Sequence, residues 1–113
     1  MKAMKIDNNM NDKELLLEAI DNYTLYTHAQ RTLLKTLVNI NIDNTITASA
    51  QELSLLCDST KTTIYKALNL LEKIGTIEKI KGPNKGIGII KLKPNKLDEI
   101  QQIYNKKYSL VKK

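Results

Sequence analysis

The stretch that decides the fold is residues 49–92, SAQELSLLCDSTKTTIYKALNLLEKIGTIEKIKGPNKGIGIIKL. Its first four residues have the form of a capping box, in which the serine and glutamate side chains bind each other's backbone amides. A short helix is therefore predicted to begin there. The apolar residues that follow, at spacings of three and four, predict its buried stripe: Leu53, Leu56 and Cys57.

A second, longer helix is predicted after a turn at residues 58–60. Aspartate, serine and threonine fill this turn, and their side chains compete for backbone hydrogen bonds. Either Ser59 or Thr60 is expected to cap the helix. Gly75 is placed to end it, because glycine takes the left-handed conformation at low cost. Spacings of three and four predict its buried stripe: Ile64, Ala67, Leu68, Leu71 and Ile74.

Two runs rich in β-branched residues end the stretch, at residues 76–81 and 87–92. The five residues between them, 82–86, are glycine, proline, asparagine and lysine, which are typical of a hairpin loop. A β-hairpin is predicted, and its imperfect apolar alternation leaves the register open. Just before the stretch, residues 45–48 alternate threonine with apolar residues and predict a short extended segment.

Helical spacing on the N-terminal side predicts two more helices. Residues 12–27 are assigned to an N-terminal helix with Asp12 as its N-cap, and residues 1–11 to a disordered tail. The next helix is expected to begin at Thr27 or His28. Its apolar residues recur at three- and four-residue steps: Ala29, Leu33, Leu34, Leu37, Val38 and Ile40.

Residues 94–113 are assigned to a C-terminal helix. Asn95 is the expected N-cap, with Asp98 and Glu99 in the first turn, where acids favour the positive end of the helix dipole. Its apolar stripe is predicted to contain four residues: Leu97, Ile100, Ile103 and Tyr104.

Length and composition bound the fold. The chain has 113 residues and a mass of 12.8 kDa, which indicates one domain with helical extensions at its ends. It contains no Trp and no Phe, so its core has to be mainly aliphatic. The predicted fold class is mainly α with a small β-hairpin, built as a three-helix core and a hairpin between N- and C-terminal helices.

The positive charge is concentrated in one part of the chain. The whole chain carries +6, and residues 59–93 contain eight lysines and two acids. Residues 1–58, in contrast, carry five basic and eight acidic residues. A pI near 9.4 favours an anionic partner, such as nucleic acid, an acidic protein or a membrane surface.

The sequence lacks the residues that several classes of protein function require. No run approaches the ~20 apolar residues of a membrane span, and the first residues lack a signal-peptide core, so we expect a cytoplasmic protein without a membrane partner. His28 and Cys57 are the only residues of their types, which excludes an internal disulfide and a metal cluster of soft ligands. Cys57 is interpreted as a small buried residue, with a redox switch as the alternative. No catalytic residue, enzyme activity, metal or cofactor is predicted.

The order of these elements resembles the winged helix-turn-helix superfamily of bacterial, phage and plasmid DNA-binding regulators. The resemblance covers residues 28–93 and is carried most specifically by SAQELSLLCDSTKTTIYKALNLLEKIGTIEKI. Such regulators often have glycine in the turn, where this chain has Cys57-Asp58. They often have an apolar residue after the helix-ending glycine, where this chain has Thr76. The subfamily stays open among MarR-like, GntR-like and plasmid-replication versions.

The resemblance implies a recognition helix at about residues 60–74 in the major groove of double-stranded DNA. The hairpin at residues 76–92 would then be a wing on the backbone or in the minor groove. The implied DNA-binding residues combine hydroxyl, amide, aromatic and lysine side chains, which suit base edges and phosphates. They are Thr60, Lys61, Thr62, Thr63, Tyr65, Lys66, Asn69, Lys79, Lys81 and Lys85.

The function that the resemblance implies is transcriptional regulation by a homodimer that pairs through its terminal helices. The same terminal helices could instead pack on the winged core of their own chain. Two alternative functions stay open: a plasmid or phage replication or partition protein, and a protein-interaction winged helix within a larger complex. For the polar face of the recognition helix and for the wing lysines, ordinary solvation and edge-strand protection are the alternatives.

Overall fold

The computed structural model of the chain describes residues 12–81 and 88–112, without the side chains of Lys81 and residues 108–112. The predicted tail at residues 1–11 and the predicted loop at 82–86 lie outside the described residues. Five helices and three strands make up the described part. They are α1 (Asp12–Asp21), α2 (His28–Ile40), β1 (Thr45–Ala48), α3 (Ala50–Cys57), α4 (Lys61–Lys73), β2 (Ile77–Lys81), β3 (Gly88–Leu92) and α5 (Pro94–Lys112).

The three strands form one antiparallel sheet in the order β1-β3-β2. β2 and β3 pair as the predicted hairpin, with Ile77 opposite Leu92 and Lys79 opposite Ile90. The short extended segment predicted at residues 45–48 is β1, which pairs with the other edge of β3. The predicted fold class is therefore confirmed, and the chain has a winged helix fold with a third strand in its sheet.

Helices α2, α3 and α4 enclose an aliphatic core. Leu33, Leu34 and Leu37 of α2 are fully buried, as are Leu53 of α3 and Leu71 of α4. Burying one such side chain stabilises the fold by about 1.5–3 kcal/mol. The sheet closes the core from one end with the side chains of Ile46, Ile77, Ile90 and Leu92.

Local hydrogen bonds fix where α2 and α3 begin. Ser49 Oγ accepts from the Glu52 amide (3.1 Å) and Glu52 Oε1 accepts from the Ser49 amide (2.9 Å), which confirms the predicted capping box. A second capping box, which the sequence reading missed, joins Thr27 and Gln30 at the start of α2. Each satisfies backbone amides that the first helical turn leaves without partners.

The turn between α3 and α4 depends on one residue in the left-handed conformation. Asp58 has φ 53° and ψ 48°, so an aspartate takes the left-handed conformation, in the turn where the regulators that the sequence resembles often have glycine. Thr60 is the N-cap of α4, and its hydroxyl accepts from the Thr63 amide at 3.1 Å. Gly75, with φ +86°, ends the chain's helical path after α4 as predicted.

Four residues of the predicted apolar stripes are exposed. Leu56 is 58% exposed, because α3 is short and faces the core with Leu53 and Cys57 only. Ile74 is 45% exposed, because α4 ends at Lys73 and Ile74 is its C-cap. Ile40, the last residue of α2, and Ile103, in the middle of α5, are likewise 36% and 38% exposed.

The terminal helices α1 and α5 pack against each other and against the core within one chain. Ala19 and Ile20 of α1 are buried, as are Leu97 and Ile100 of α5. The Tyr104 hydroxyl of α5 donates a hydrogen bond to the Glu18 carboxylate of α1.

The ends of the terminal helices differ from the predicted ones. α1 ends at Asp21, and the following turn buries Tyr23 and Tyr26 instead of continuing the helix to residue 27. α5 begins at Pro94, so Asn95 is not its N-cap and the acids at 98 and 99 lie beyond its first turn. Proline favours the first helical position because its missing N–H would have no partner there.

Candidate nucleic-acid interface

Helix α4 turns a polar face to the solvent, because its apolar residues occupy one side only. Ile64, Ala67, Leu68 and Leu71 are all buried. Residues spaced by three, four and seven positions share one line along a helix. On the side opposite the buried stripe, this line is Thr62, Lys66, Asn69 and Lys73, and all four side chains are exposed.

The first turn of α4 presents hydroxyl groups and a lysine. Lys61 and Thr62 are exposed, whereas Thr63 is half-buried. The Thr60 hydroxyl accepts the Thr63 amide and lies 3.0 Å from the Thr63 hydroxyl. Thr60 and Thr63 therefore hold the start of the helix, and Thr62 is the hydroxyl of this turn that faces outward.

One flank of the outward face is joined to the wing. Lys79 of β2 donates from Nζ to Oδ1 of Asn69 at 2.6 Å. The same ammonium lies 3.6 Å from a carboxylate oxygen of Glu72. The Glu72 carboxylate also accepts the backbone amide of Lys79 at 3.3 Å. Since β2 is an edge strand, Glu72 gives a partner to an amide that the sheet itself leaves open.

The opposite flank of α4 borders the beginning of α2. A shallow groove of about 240 Å³ runs there, lined by Thr27, Ala29, Gln30, Thr63, Lys66, Ala67 and Leu70. Its lining is mostly apolar, and Lys66 supplies its charge. Lys66 thus stands between this groove and the outward line of α4.

Tyr65 and Lys73 extend the polar face. Tyr65 is 55% exposed, so its ring is accessible to a partner. Lys73 continues the line of Lys66 one heptad later, and the predicted set of DNA-binding residues omitted it. The seven-residue spacing in the sequence is the signal that puts Lys73 on the same helical line as Lys66.

The charges of α4 are unequally paired. Glu72 is the one acid in the helix sequence, and it is committed to Lys79. Within the described part of the chain, no salt bridge involves Lys61, Lys66 or Lys73. The outward face therefore offers three lysine charges that form no salt bridge with a carboxylate of the described residues.

The wing lysines are only partly described. Lys79 lies at the junction with α4, and the backbone of Lys81 pairs with Gly88 at the end of β2. The side chain of Lys81 and all of Lys85 lie outside the described residues. On the other face of the sheet, Lys93 donates to the Glu78 carboxylate at 3.2 Å.

The remaining candidates for chemistry lie away from this face. Cys57 is buried and its thiol donates to the Thr36 hydroxyl at 3.4 Å, in keeping with a small core residue. Among residues 12–81 and 88–112, no group of three or more His, Cys, Asp and Glu side chains could hold a metal ion. In the same ranges, no helix has both the length and the apolar character that crossing a bilayer requires.

Two solved structures share this fold. A possible transcriptional regulator from Methanosarcina mazei Go1 is 17% identical, with a TM-score of 0.55 over 86% of this chain and 78% of that one. NadR in complex with 4-hydroxyphenylacetate is 20% identical, with a TM-score of 0.55 over 98% of this chain and 84% of that one. At these identities the likeness establishes the winged helix fold. No protein-family model and no curated protein matches the sequence.

Proposed function

We propose that this protein is a sequence-specific double-stranded DNA-binding regulator of transcription. The observation that carries the proposal is the outward face of α4, where Thr62, Lys66, Asn69 and Lys73 are exposed along one line. Hydroxyl and amide groups suit base edges, and lysines suit both guanine and phosphates. The fold shared with a possible transcriptional regulator agrees with this function.

The dimensions of α4 fit the proposed docking. A helix of 13 residues is about 20 Å long, and the major groove is about 12 Å wide and admits one helix. The N-terminal residues of a recognition helix reach the bases, so Thr62 and Lys66 are proposed to lie deepest. Lys61 and Lys73, at the two ends of α4, would meet phosphates on either side of the groove.

The wing is proposed to contact the DNA backbone or the minor groove beside α4. Lys79 is fixed next to the outward face by Asn69 and Glu72, so the base of the wing and the recognition helix form one surface. Lys81 and Lys85 belong to the same proposed contact by their place in the chain. These contacts would position the protein without reading the sequence.

The protein is further proposed to act as a homodimer through α1 and α5. Helix α5 has 19 residues, and Leu15 of α1 and Ile103 of α5 remain 37% and 38% exposed after the helices pack on each other. A groove of about 380 Å³ between the two helices is lined in part by Leu15, Leu16 and Leu97. A second chain covering these residues would set two recognition helices on two half-sites.

One observation favours a protein partner as the second candidate function. Leu55 and Leu56 of α3 are 73% and 58% exposed, side by side on a helix that contacts the core with its other face. Adjacent exposed leucines are typical of a protein-binding surface. A replication or partition protein would use the same DNA contacts as the regulator for another purpose.

The deciding experiment is a binding selection from random duplex DNA at two salt concentrations. The expected result is enrichment of one sequence, with affinity that falls steeply as salt rises. A Lys61→Ala/Lys66→Ala/Asn69→Ala variant should lose this selectivity. The control is Lys35→Ala/Asn39→Ala on α2, which removes one lysine and one amide away from the proposed surface, together with the salt bridge between Lys35 and Asp21. Equal binding of random and selected DNA by the parent and the triple variant would refute the assignment.

A further inference from the structure

Asn69 is the one carboxamide on the outward line of α4, and the wing holds it in one orientation. Its Oδ1 accepts from the Lys79 ammonium at 2.6 Å. An ammonium group only donates hydrogen bonds, so the atom facing Lys79 has to be the amide oxygen and not the nitrogen. The amide nitrogen is therefore directed away from the wing.

Lys79 is itself held in place, which makes this orientation a property of the fold. Its backbone is fixed by the pairing with Ile90 in β3 and by the hydrogen bond from its amide to the Glu72 carboxylate. Its ammonium lies 3.6 Å from the same carboxylate, and its side chain is only 35% exposed. Lys79 is thus held by Glu72 from two points while it binds Asn69.

The orientation of the amide decides which base edge it can read. Bidentate pairing with adenine needs Oδ1 to accept from N6 and Nδ2 to donate to N7, so both atoms have to face the base. In this arrangement Oδ1 is engaged by a cation, and the positive charge of Lys79 repels the N6 amino donor. Guanine instead presents two acceptors, O6 and N7, to the free Nδ2 donor and to the nearby ammonium.

We propose that Lys79 is a positioning residue that makes Asn69 a hydrogen-bond donor, so that the Asn69–Lys79 pair selects guanine over adenine. This inference rests on the proposed function, because it names the base that the same surface reads. It assigns to a wing lysine a part in specificity, where the proposed function gave the wing lysines only positioning contacts with the backbone or the minor groove.

The first test uses the protein without DNA. In 1H–15N spectra, the side-chain NH2 of Asn69 is assigned from an Asn69→Ala variant and compared between the parent and Lys79→Met, which keeps the apolar stem and removes the ammonium. The expected result is a held amide in the parent and a shifted, more mobile one in Lys79→Met. Lys91→Met is the matched control, since Lys91 is exposed on the outer face of β3 opposite Glu78. Unchanged Asn69 signals in Lys79→Met would overturn the positioning role, whatever the protein binds.

The second test uses the duplex enriched by selection. The base pair whose preference is lost in Asn69→Ala is varied through all four bases and measured by fluorescence anisotropy. The parent is expected to prefer guanine there, and Lys79→Met to raise the affinity for adenine relative to guanine by about tenfold. Lys79→Arg, which keeps a donor cation, should restore the parent's preference, and Lys91→Met should leave it unchanged. When Asn69 is already replaced by alanine, Lys79→Met should no longer change the relative affinity for guanine and adenine.

The outcomes separate the two proposals. Adenine preferred by the parent, or a uniform loss of affinity in Lys79→Met without a change of preference, would overturn the specificity role while leaving DNA binding intact. Absence of any selective binding by the parent would instead refute the proposed function. The mobility of the Asn69 amide tests the positioning role in that case too.

Discussion

The hydroxyl groups of Tyr26 and Thr76 are hydrogen-bonded to each other at 2.5 Å, with both residues buried in the core. Thr76 follows Gly75, at the position where the winged helix-turn-helix regulators that the sequence resembles often have an apolar residue. A fully buried threonine hydroxyl needs a partner, and Tyr26, 50 residues earlier in the chain, supplies it. The bond ties the turn before α2 to the beginning of the wing.

Replacing Tyr26 by phenylalanine should lower the free energy of unfolding by about 1–3 kcal/mol, because the Thr76 hydroxyl is left buried without its partner. Thr76→Val should destabilise by a similar amount for the reciprocal reason. The double variant should lose clearly less than the two single variants together, since it removes both hydroxyls. Urea unfolding of the four proteins measures this coupling, and strictly additive losses would contradict it.

The same tyrosine predicts a dependence of stability on alkaline pH. Burial raises the pKa of Tyr26 above its ordinary value of 10.0, although the bond from Thr76 acts in the opposite direction. Because the pKa of Tyr26 is higher in the folded than in the unfolded protein, the stabilisation that the neutral tyrosine provides is fully present below about pH 10, its pKa in the unfolded chain. It is lost as the pH rises from there through the folded pKa. Tyr26→Phe should therefore lose less stability than the parent over this range in urea titrations, and parallel curves would contradict the prediction.

The core of the fold could be read from the sequence because helical spacing reports burial directly. Ile64, Ala67, Leu68 and Leu71 are buried as the spacing predicts. Leu56 and Ile74 fit the same spacing and yet are exposed, because the length of α3 and the last turn of α4 depend on packing that a periodicity does not contain.

The contacts across the candidate site could not be read in the same way. The residues of α4 follow from its polar face, but the bond between Asn69 and Lys79 depends on the placement of β2 against the helix. The register of the hairpin sets that placement, and the imperfect apolar alternation of residues 76–92 left it open. Glu72 was likewise not identified, because its role appears only once the edge of β2 lies beside it.

The two leucine positions of α3 should respond to substitution in opposite ways. Leu53→Ala should lower the free energy of unfolding by about 2–5 kcal/mol, because Leu53 is 1% exposed and its removal opens a cavity. Leu56→Ala deletes the same atoms from a side chain that is 58% exposed, and its effect should stay within about 0.5 kcal/mol. Thermal unfolding monitored by circular dichroism compares them. A large loss in Leu56→Ala would place that residue in a core or in an interface.

Replacing Gly75 by alanine measures what the left-handed backbone conformation costs in stability, because the added methyl group causes no steric clash. A Cβ at this position would have no atom within 4 Å, so Gly75→Ala changes backbone strain alone. At φ +86° the expected loss is about 1–2 kcal/mol of stability. Asp58→Gly is the converse variant, since Asp58 already has φ 53°, and it should leave stability within about 1 kcal/mol of the parent. A loss in Asp58→Gly as large as that in Gly75→Ala would contradict the strain argument.

Glu72 connects the wing to the proposed DNA-binding face of α4. Its carboxylate accepts the Lys79 amide and lies 3.6 Å from the Lys79 ammonium, so part of the positive charge beside α4 is neutralised. Glu72→Gln keeps an acceptor for the amide but removes the negative charge. We therefore expect the Glu72→Gln variant to bind duplex DNA of any sequence more tightly at low salt, with little change in unfolding free energy.

If Lys79 then neutralises one more phosphate, the log–log salt dependence of binding by Glu72→Gln should steepen by up to about 0.9. Lys73→Ala, which removes a proposed phosphate contact, should change the slope by a similar amount in the opposite direction. Anisotropy titrations at several salt concentrations measure both slopes, and equal slopes in Glu72→Gln, Lys73→Ala and the parent would mean that neither Lys79 nor Lys73 contacts a DNA phosphate.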